Sequence, residues 1–384
     1  MKNKLLYIGL SLISICTLNS CKNDLDVLAP GEESVSVYGV LNPNASVQNI
    51  RINKVYLTDG DAVAAGQEAT TINYDTSELR VSLQRFMTGS TTPTLTTNNG
   101  STKKEIVLTG TYITTASGNF SSAQTIWQTT DKLFNTGEYK LTIKIKSTGK
   151  EITSQTTMCD SVKPYNSMPI IYTLNSQAGV SNAYPLHCNG YVIDLPPGTG
   201  TKADAYVNYS NTTISPKIKF KSVANARLYE VVMRFHYIDT LLSGGIANRE
   251  YVDFNFTTQK STSLTGGDPL EVSFNSADFY TNLASEINKK PAVSVKSRTA
   301  HYMEYIITAG NETLNTFLQV NAPSTSIAQD KPNYSNIVGG VGVFASKSKA
   351  SFTKDLYYAF IDEIADNAAT QALQFNKNHT AICP

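Results

Sequence analysis

Strict alternation of apolar and polar residues over short runs constrains this chain more than any other feature. In residues 137–146, Leu141, Ile143 and Ile145 alternate with lysines and threonine. Successive side chains of a strand point to opposite faces, so this period of two predicts a strand with one buried face. Comparable runs, separated by turn residues, lie at 34–41, 47–57, 79–86, 105–108, 124–127 and 151–158. About seven short strands at this spacing predict an immunoglobulin-like β-sandwich domain over residues 34–163.

Pro164 and Pro169 bound a predicted hinge, and a second block of alternating runs follows. We expect a C-terminal β-rich domain over residues 164–384, with helical insertions and a C-terminal helix. Phe279, Leu283 and Ile287 recur at helical spacing, which predicts a helix over 276–288 with Ser276 as its N-cap. An amphipathic pattern predicts the last helix at 353–375, whereas 299–320 favours strand with 304–314 open to either structure. The fold class predicted is therefore mainly β, with two sandwich-like domains.

Length and charge narrow the class of protein. The chain has 384 residues, which is too long for one typical sandwich and suits two domains. Charged residues make up only 16%, and 32 basic residues nearly balance 31 acidic ones. The sequence has no stripe of basic residues, so it does not indicate a nucleic-acid partner. A polar, weakly charged surface with many tyrosines is typical of an all-β cell-envelope protein.

The N-terminal residues indicate where the protein is located. Lys2 and Lys4 precede an apolar run at 5–18, which is too short to span a bilayer and is typical of an export signal. Leu18, Asn19, Ser20 and Cys21 then resemble a bacterial lipobox. That resemblance implies a lipoprotein signal peptide at 1–20, acylation of Cys21 by chains such as palmitate, and a tether at 21–33. The alternative is a secreted protein in which Cys21 is incidental.

The residues after Cys21 bear on its location. Lys22 followed by Asp24 and Asp26 resembles the surface-export signal of Bacteroidota lipoproteins, although Asn23 interrupts the pattern. The alternative is a plain polar tether. We therefore expect a lipid-anchored protein of the outer membrane, with exposure at the cell surface as one of the two orientations.

Three cysteines remain in the mature body, at 159, 188 and 383. An oxidising envelope allows one disulfide among them. Cys159 and Cys188 are the favoured pair because they flank the predicted domain boundary, and three free thiols are the alternative. The acidic–hydroxyl pairs ending at Ser161 and Thr240 resemble sites of O-glycosylation in Bacteroidota.

Other motifs are weak signals for chemistry. Residues 340–345 fit the G-x-G-x-x-A part of a dinucleotide loop, but 346–351 lack the apolar helix that such a loop requires. We expect these glycines to let two backbones approach closely. The remaining candidate residues are scattered along the chain. We therefore expect them to have structural roles, and we expect no metal or cofactor site. They are His187, His236, His301 and His379; the turn residues Asp59, Asp61 and Asp75; and Trp127.

Three segments together resemble an uncharacterised lipoprotein family of Bacteroidota, a domain of unknown function often encoded near TonB-dependent receptors. They are residues 37–62, 137–158 and 332–348, and the most specific piece is Ser335-Asn336-Ile337 with Gly339 to Phe344. The resemblance implies two β-domains, provides no catalytic residues, and suggests a TonB-dependent outer-membrane receptor as partner.

The sequence therefore predicts a non-enzymatic binding or accessory component of a cell-envelope complex. The alternative is a surface adhesin or a structural module of a secretion or motility assembly. A hydrolase whose site is assembled from distant residues is a weaker third hypothesis.

Overall fold

The computed structural model describes residues 34–55, 61–94, 103–116, 121–162, 215–243, 248–290, 294–322 and 334–378, with short stretches between 170 and 213. Strands account for 48% and helices for 17%. The mainly β class predicted from the alternating runs is therefore confirmed. The finer prediction of two immunoglobulin-like sandwiches stays a prediction.

The first region holds seven strands and two short helices. The strands are β1 (Ser34–Leu41), β2 (Gln48–Val55), β3 (Leu79–Phe86), β4 (Ile106–Thr114), β5 (Ala123–Thr129), β6 (Glu138–Ile145) and β7 (Glu151–Thr157). The helices are α1 (Ala62–Gln67) and α2 (Ala69–Ile72). Strand β6 buries Tyr139, Leu141, Ile143 and Ile145, as its sequence period requires.

Strand β4 pairs with different strands at its two ends. Its start pairs with β3 through Ile106 and Leu108, whereas its end, from Thr109 to Thr114, pairs with β5. The strands order as β1-β2-β5-β4-β3-β6-β7. Their inward side chains form one cluster, the first core, which is rich in Val, Ile and Leu and also holds Trp127.

The second region is built from longer strands and from helices. The strands are β8 (Ile170–Tyr172), β9 (His187–Cys188), β10 (Tyr191–Val192), β11 (Tyr206–Val207), β12 (Lys217–Lys221), β13 (Leu228–Leu241), β14 (Asn248–Asn255), β15 (Gln259–Lys260), β16 (Pro269–Ser273), β17 (Val295–Gly310), β18 (Ile337–Val338) and β19 (Val341–Leu356). The helices are α3 (Ser276–Asn288), α4 (Glu312–Val320), α5 (Tyr358–Asp366) and a 3-10 turn at Gln371–Leu373.

Aromatic side chains dominate the second core, which lies between the sheet β14-β13-β17-β19 and the helices α3 and α5. Phe235 of β13, Phe279 of α3 and Phe360 of α5 meet there, with ring centroids 5.6 Å and 5.2 Å apart around Phe279. Alternation along β13 buries Val231, Met233, Phe235 and Tyr237 on this side. The opposite side of the same strands is left half-buried.

Strand β19 belongs to both regions. Its first residues pair in parallel with β1, from Ser36 opposite Val341 to Leu41 opposite Ser346. Its later residues pair antiparallel with β17, from Lys347 to Asp355. Phe344 of β19 and Ile337 of β18 are members of the first core, although both lie far beyond residue 163. The last strand therefore joins the two cores in one hydrogen-bonded sheet.

Helix and strand boundaries differ from the sequence prediction at three places. The helix at 276–288 is confirmed, but its N-cap is Asn275, whose Oδ1 accepts from the Ala277 N–H at 2.9 Å. The helix expected at 353–375 is shorter, because Thr353 to Asp355 pair with β17, and Leu356 with β11, as strand. The open segment 304–314 is strand to Gly310, after which α4 begins at Glu312.

Candidate functional site

Two rows of polar and aromatic side chains cross the sheet on the side away from the second core, which we call the outer face. The strand register places Tyr251, His236, Tyr302 and Asp355 in one row. Asp253, Arg234, Glu304 and Thr353 form the neighbouring row. Directly opposed residues share a face of the sheet, so these eight side chains lie together.

Arg234 organises one half of the outer face. Its Nε and Nη2 donate to the two carboxylate oxygens of Asp253, at 2.6 Å and 2.8 Å. Its guanidinium lies 4.0 Å from the ring centroid of Tyr251. The hydrogen bonds to Asp253 raise the pKa of Arg234, so this group is always charged. A bidentate pair holds both planar groups in one orientation.

His236 organises the other half. Its Nε2 lies 3.0 Å from Oε2 of Glu304, and its ring stacks on Tyr302 with centroids 4.2 Å apart. The ring of His301 meets the edge of Tyr302 at 4.8 Å. Burial lowers the pKa of His301, and the nearby Arg249 lowers it further. His301 is therefore uncharged at neutral pH, and the local aromatic surface is not strongly cationic.

Asp355 lies beside Tyr302 in the first row, and on its other side it is opposite Tyr206 of β11. Burial raises the pKa of its carboxyl, and no neighbouring charge contributes to the shift. Among the described residues, no lysine or arginine forms a salt bridge with it. The outer face thus combines side chains fixed by ion pairs with one half-buried carboxyl that has no ionic partner there. Fixed hydrogen-bonding groups beside aromatic rings suit recognition of another molecule.

Of the three residues that the sequence predicted to be modified, the structure describes Ser161 and Thr240. Cys21 lies outside the described residues. Ser161 accepts a hydrogen bond from Nδ2 of Asn135 at 3.0 Å. Thr240 lies within β13, half-buried and opposite Ser297 of β17. Lipidation and O-glycosylation remain predictions.

Cys159 is a free, buried thiol. Its Sγ lies 3.5 Å from Oγ of Ser346 and its backbone N–H donates to the same hydroxyl at 3.2 Å. Burial raises the pKa of this thiol to about 11, which keeps it protonated and unreactive. The Cys159–Cys188 disulfide stays a prediction. The side chain of Cys188 lies outside the described residues.

The glycine motif serves chain packing. Gly342 has φ +117, and a Cβ there would lie 2.0 Å from the carbonyl oxygen of Val37. A Cβ on Gly340 would lie 2.5 Å from the carbonyl oxygen of Val35. The chain then continues as strand to Leu356, where a dinucleotide fold would need a helix. The glycines therefore permit close approach of β1, as the sequence indicated.

The other candidates have structural roles or lie outside the described residues. Asp61 caps α1, and Asp75 accepts from Ser77 and from the Tyr112 hydroxyl, which lower its pKa to about 2. Trp127 is only 1% exposed and fills the first core, so it offers no stacking surface. Asp59, His379 and the side chain of His187 are not described. Within the described ranges, no three potential metal ligands come together.

Sequence reasoning did not find the outer face. His236 was considered alone, because its partner Glu304 is 68 residues away. Arg234 and Asp253 lie in the second block of alternating runs, where the sequence predicted no site. The one available signal was the placement of charged residues at alternate positions of a long strand whose other positions are apolar.

Comparison with known proteins adds no assignment. No protein-family model matches the chain, and no curated protein matches it. None of the described helices is long and apolar enough to cross a membrane.

Proposed function

We propose that this chain is a lipid-anchored lipoprotein of the outer membrane that acts as a non-enzymatic binding component of a cell-envelope complex. The observation that carries the binding role is the outer face. The anchoring role rests on the sequence, because Leu18, Asn19, Ser20 and Cys21 resemble a lipobox and a polar tether follows.

The outer face is suited to binding because its side chains are already ordered. Arg234 and His236 are each held by a carboxylate and by an aromatic ring. A partner would therefore meet groups that lose little conformational freedom on contact. Tyr251 is 48% exposed, and tyrosine is frequent among residues that dominate binding energy.

A TonB-dependent outer-membrane receptor is the partner that we propose. Its support is the family resemblance of residues 37–62, 137–158 and 332–348. The charges of the outer face pair largely with one another, which favours a protein surface with matching polar groups over a highly charged ligand.

A surface adhesin is the second candidate, and the same face favours it in one respect. Tyrosine and histidine rings beside fixed carboxylates and a guanidinium suit a hydroxyl-rich ligand such as a glycan. The rings would contact sugar C–H groups, and the paired charges would bind hydroxyls.

Crosslinked pull-down from native envelopes tests the two candidates. We expect the unaltered protein to retain a large β-barrel protein, and Tyr251→Ala to reduce its recovery by about tenfold or more, as loss of a hot-spot tyrosine does. Tyr112→Ala is the matched control, because Tyr112 is an exposed tyrosine of the first region. Retention of a glycan by the isolated protein, with no barrel recovered, would favour the adhesin.

The anchor is tested separately. We expect the mature N-terminus to carry acyl chains at Cys21, and Cys21→Ala to release the protein into soluble fractions. An unacylated native N-terminus, or a Cys21→Ala protein that still sediments with membranes after high-salt washing, would contradict the proposed anchor.

A further inference from the structure

Exposed apolar side chains gather at one end of the first region. Val338 is 69% exposed and Val341 is 47% exposed, on either side of the turn between β18 and β19. Val55 at the end of β2 and Tyr38 of β1 are also exposed, and one side of the Tyr38 ring contacts Phe317 of α4, with centroids 6.1 Å apart. We call these four residues the apolar end. Large apolar side chains that stay in water at a shared site indicate a contact surface.

The strand register places the apolar end beside the start of β1. Val341 is opposite Ser36 in the parallel pair, and Val55 is opposite Ser34 in the antiparallel pair. The turn itself packs on β1, because the site of a Cβ on Gly340 lies 2.5 Å from the carbonyl oxygen of Val35. Ser34 is the residue at which the tether joins the sheet.

The length of the tether identifies the surface that the apolar end can meet. Residues 22–33 separate the acylation site from Ser34 and span at most about 40 Å when extended. A bilayer that holds the lipid therefore lies within about 40 Å of Ser34. Acyl chains at Cys21 would hold the protein at the membrane, and a further apolar contact would add to that attachment and orient the molecule.

We propose that the apolar end rests on the lipid surface of the membrane, so that Val338 and Val341 enter the interfacial zone and Tyr38 lies at its polar boundary. This inference rests on the proposed lipid anchor and adds an orientation to it. Tyrosine suits such a boundary because its ring is apolar and its hydroxyl is polar.

The orientation has a consequence for the outer face. Strand β19 begins at the apolar end and reaches Asp355 of the outer face near its other end. At about 3.3 Å per residue, the distance along the strand from Val341 to Asp355 is about 45 Å. The outer face is thereby displayed away from the lipid, where a partner can reach it.

Tryptophan quenching by brominated lipid tests the inference. Trp127 is the sole native tryptophan and is buried, so it contributes the same background emission to every variant. Val338→Trp is prepared as full-length acylated protein and reconstituted into phosphatidylethanolamine–phosphatidylglycerol vesicles, with or without bromine on the acyl chains. Thr353→Trp is the matched control, because Thr353 is an exposed residue of the same strand at the outer face.

We expect the added emission of Val338→Trp to fall by roughly half in brominated vesicles, since interfacial groups lie about 5–10 Å into the headgroup boundary. The emission of Thr353→Trp should be equal in both vesicles. Val341→Trp repeats the test should Val338→Trp fold poorly. Acylated protein with unquenched Val338→Trp and Val341→Trp would overturn this inference and leave the anchor intact. An unacylated Cys21 would overturn both.

Discussion

The two cores of this protein are filled by different kinds of side chain. The first core is formed by inward side chains of the strands of the first region and consists mostly of Val, Ile and Leu. The second lies between one sheet and helices, and Phe and Tyr make up much of it. Alternation along each strand places aliphatic side chains on one regular inward face. A helix on a sheet leaves a less regular space, which large rings of several orientations fill in the second core.

Only the first core can be identified from local sequence. In the first core, the alternation of apolar and polar residues along each strand shows which side chains point inward. In the second, Phe235, Phe279 and Phe360 come from a strand and two helices that are far apart in the chain. Four substitutions test whether the cores are as distinct in stability as in composition.

Gly342→Ala should have the largest effect and should act on the first core. A Cβ at this position meets the Val37 carbonyl at 2.0 Å, and φ is +117. We expect a loss of more than about 3 kcal/mol of unfolding free energy, because both clash and backbone strain contribute. Trp127 fluorescence during denaturant unfolding reports the unfolding of this core.

Gly149→Ala is the control. Gly149 has φ +72 and open space around the site of a Cβ, so the variant should lose about 1–2 kcal/mol of unfolding free energy. Equal losses would contradict the role of close approach.

Phe279→Ala should have the next largest effect and should act on the second core. Five aromatic rings surround Phe279, at centroid distances from 5.0 Å to 6.1 Å. Removal of the ring should cost about 3–5 kcal/mol. Near-ultraviolet circular dichroism from tyrosines should shift to lower denaturant more than Trp127 fluorescence does. Ile143→Ala in the first core is the counterpart and should shift the Trp127 signal. Identical shifts of both signals in both variants would show one cooperative unit.

Tyr305→Phe tests a polar contact in the second core. The hydroxyls of Tyr305 and Tyr209 are 2.8 Å apart and buried. Loss of one partner should cost about 1–3 kcal/mol. Burial raises the pKa of Tyr305 well above its usual value, so above about pH 10 the unfolded chain releases this proton first and stability falls. Tyr305→Phe lacks this ionisable hydroxyl, so its stability does not fall for this reason. The difference in unfolding free energy between the variant and the unaltered protein should therefore become smaller as pH rises past about 10. A deficit that is constant to pH 11 would contradict the assignment.

Asp355→Asn should have the smallest effect and the opposite sign. Burial raises the pKa of Asp355, so ionisation opposes folding once pH exceeds the ordinary value of 3.8. We expect the variant to gain up to about 0.5 kcal/mol at pH 7, with no gain below pH 3.8, where the carboxyl is protonated in both states. Denaturant midpoints of the variant and of the unaltered protein across this pH range measure the gain in stability. Asp253→Asn should lose stability instead, because Asp253 is paired with Arg234. A gain at low pH would contradict the interpretation.

The sequence predicted local structure well where periodicity was strong. The alternation at 34–41, 79–86 and 137–146 gave strands, and the apolar spacing at 276–288 gave α3. Residues 353–356 were assigned wrongly to a helix. Phe352 and Leu356 are four apart, which suits a helix, whereas pairing of Phe352 to Asp355 with β17 and of Leu356 with β11 makes this segment strand. Local pattern could not choose between these structures.

The long-range pairings could not be predicted in the same way. Nothing within residues 36–41 indicates that 341–346 will lie beside them. The outer face depends on such pairings, since Arg234 meets Asp253 and His236 meets Glu304 only after β14, β13 and β17 have aligned. The glycines at 340 and 342 were the one local sign, because they indicated a close neighbour without identifying it.

The partner switch of β19 has a mechanical consequence. If the molecule is pulled at Ser34 and, in the opposite direction, at the outer face, β1 and the start of β19 are drawn apart along their length. The six residue pairs that join these parallel strands then bear the load together, in shear. A peeling geometry would break such bonds one after another. The path of the chain therefore places its strongest resistance to extension between the tether and the surface farthest from it.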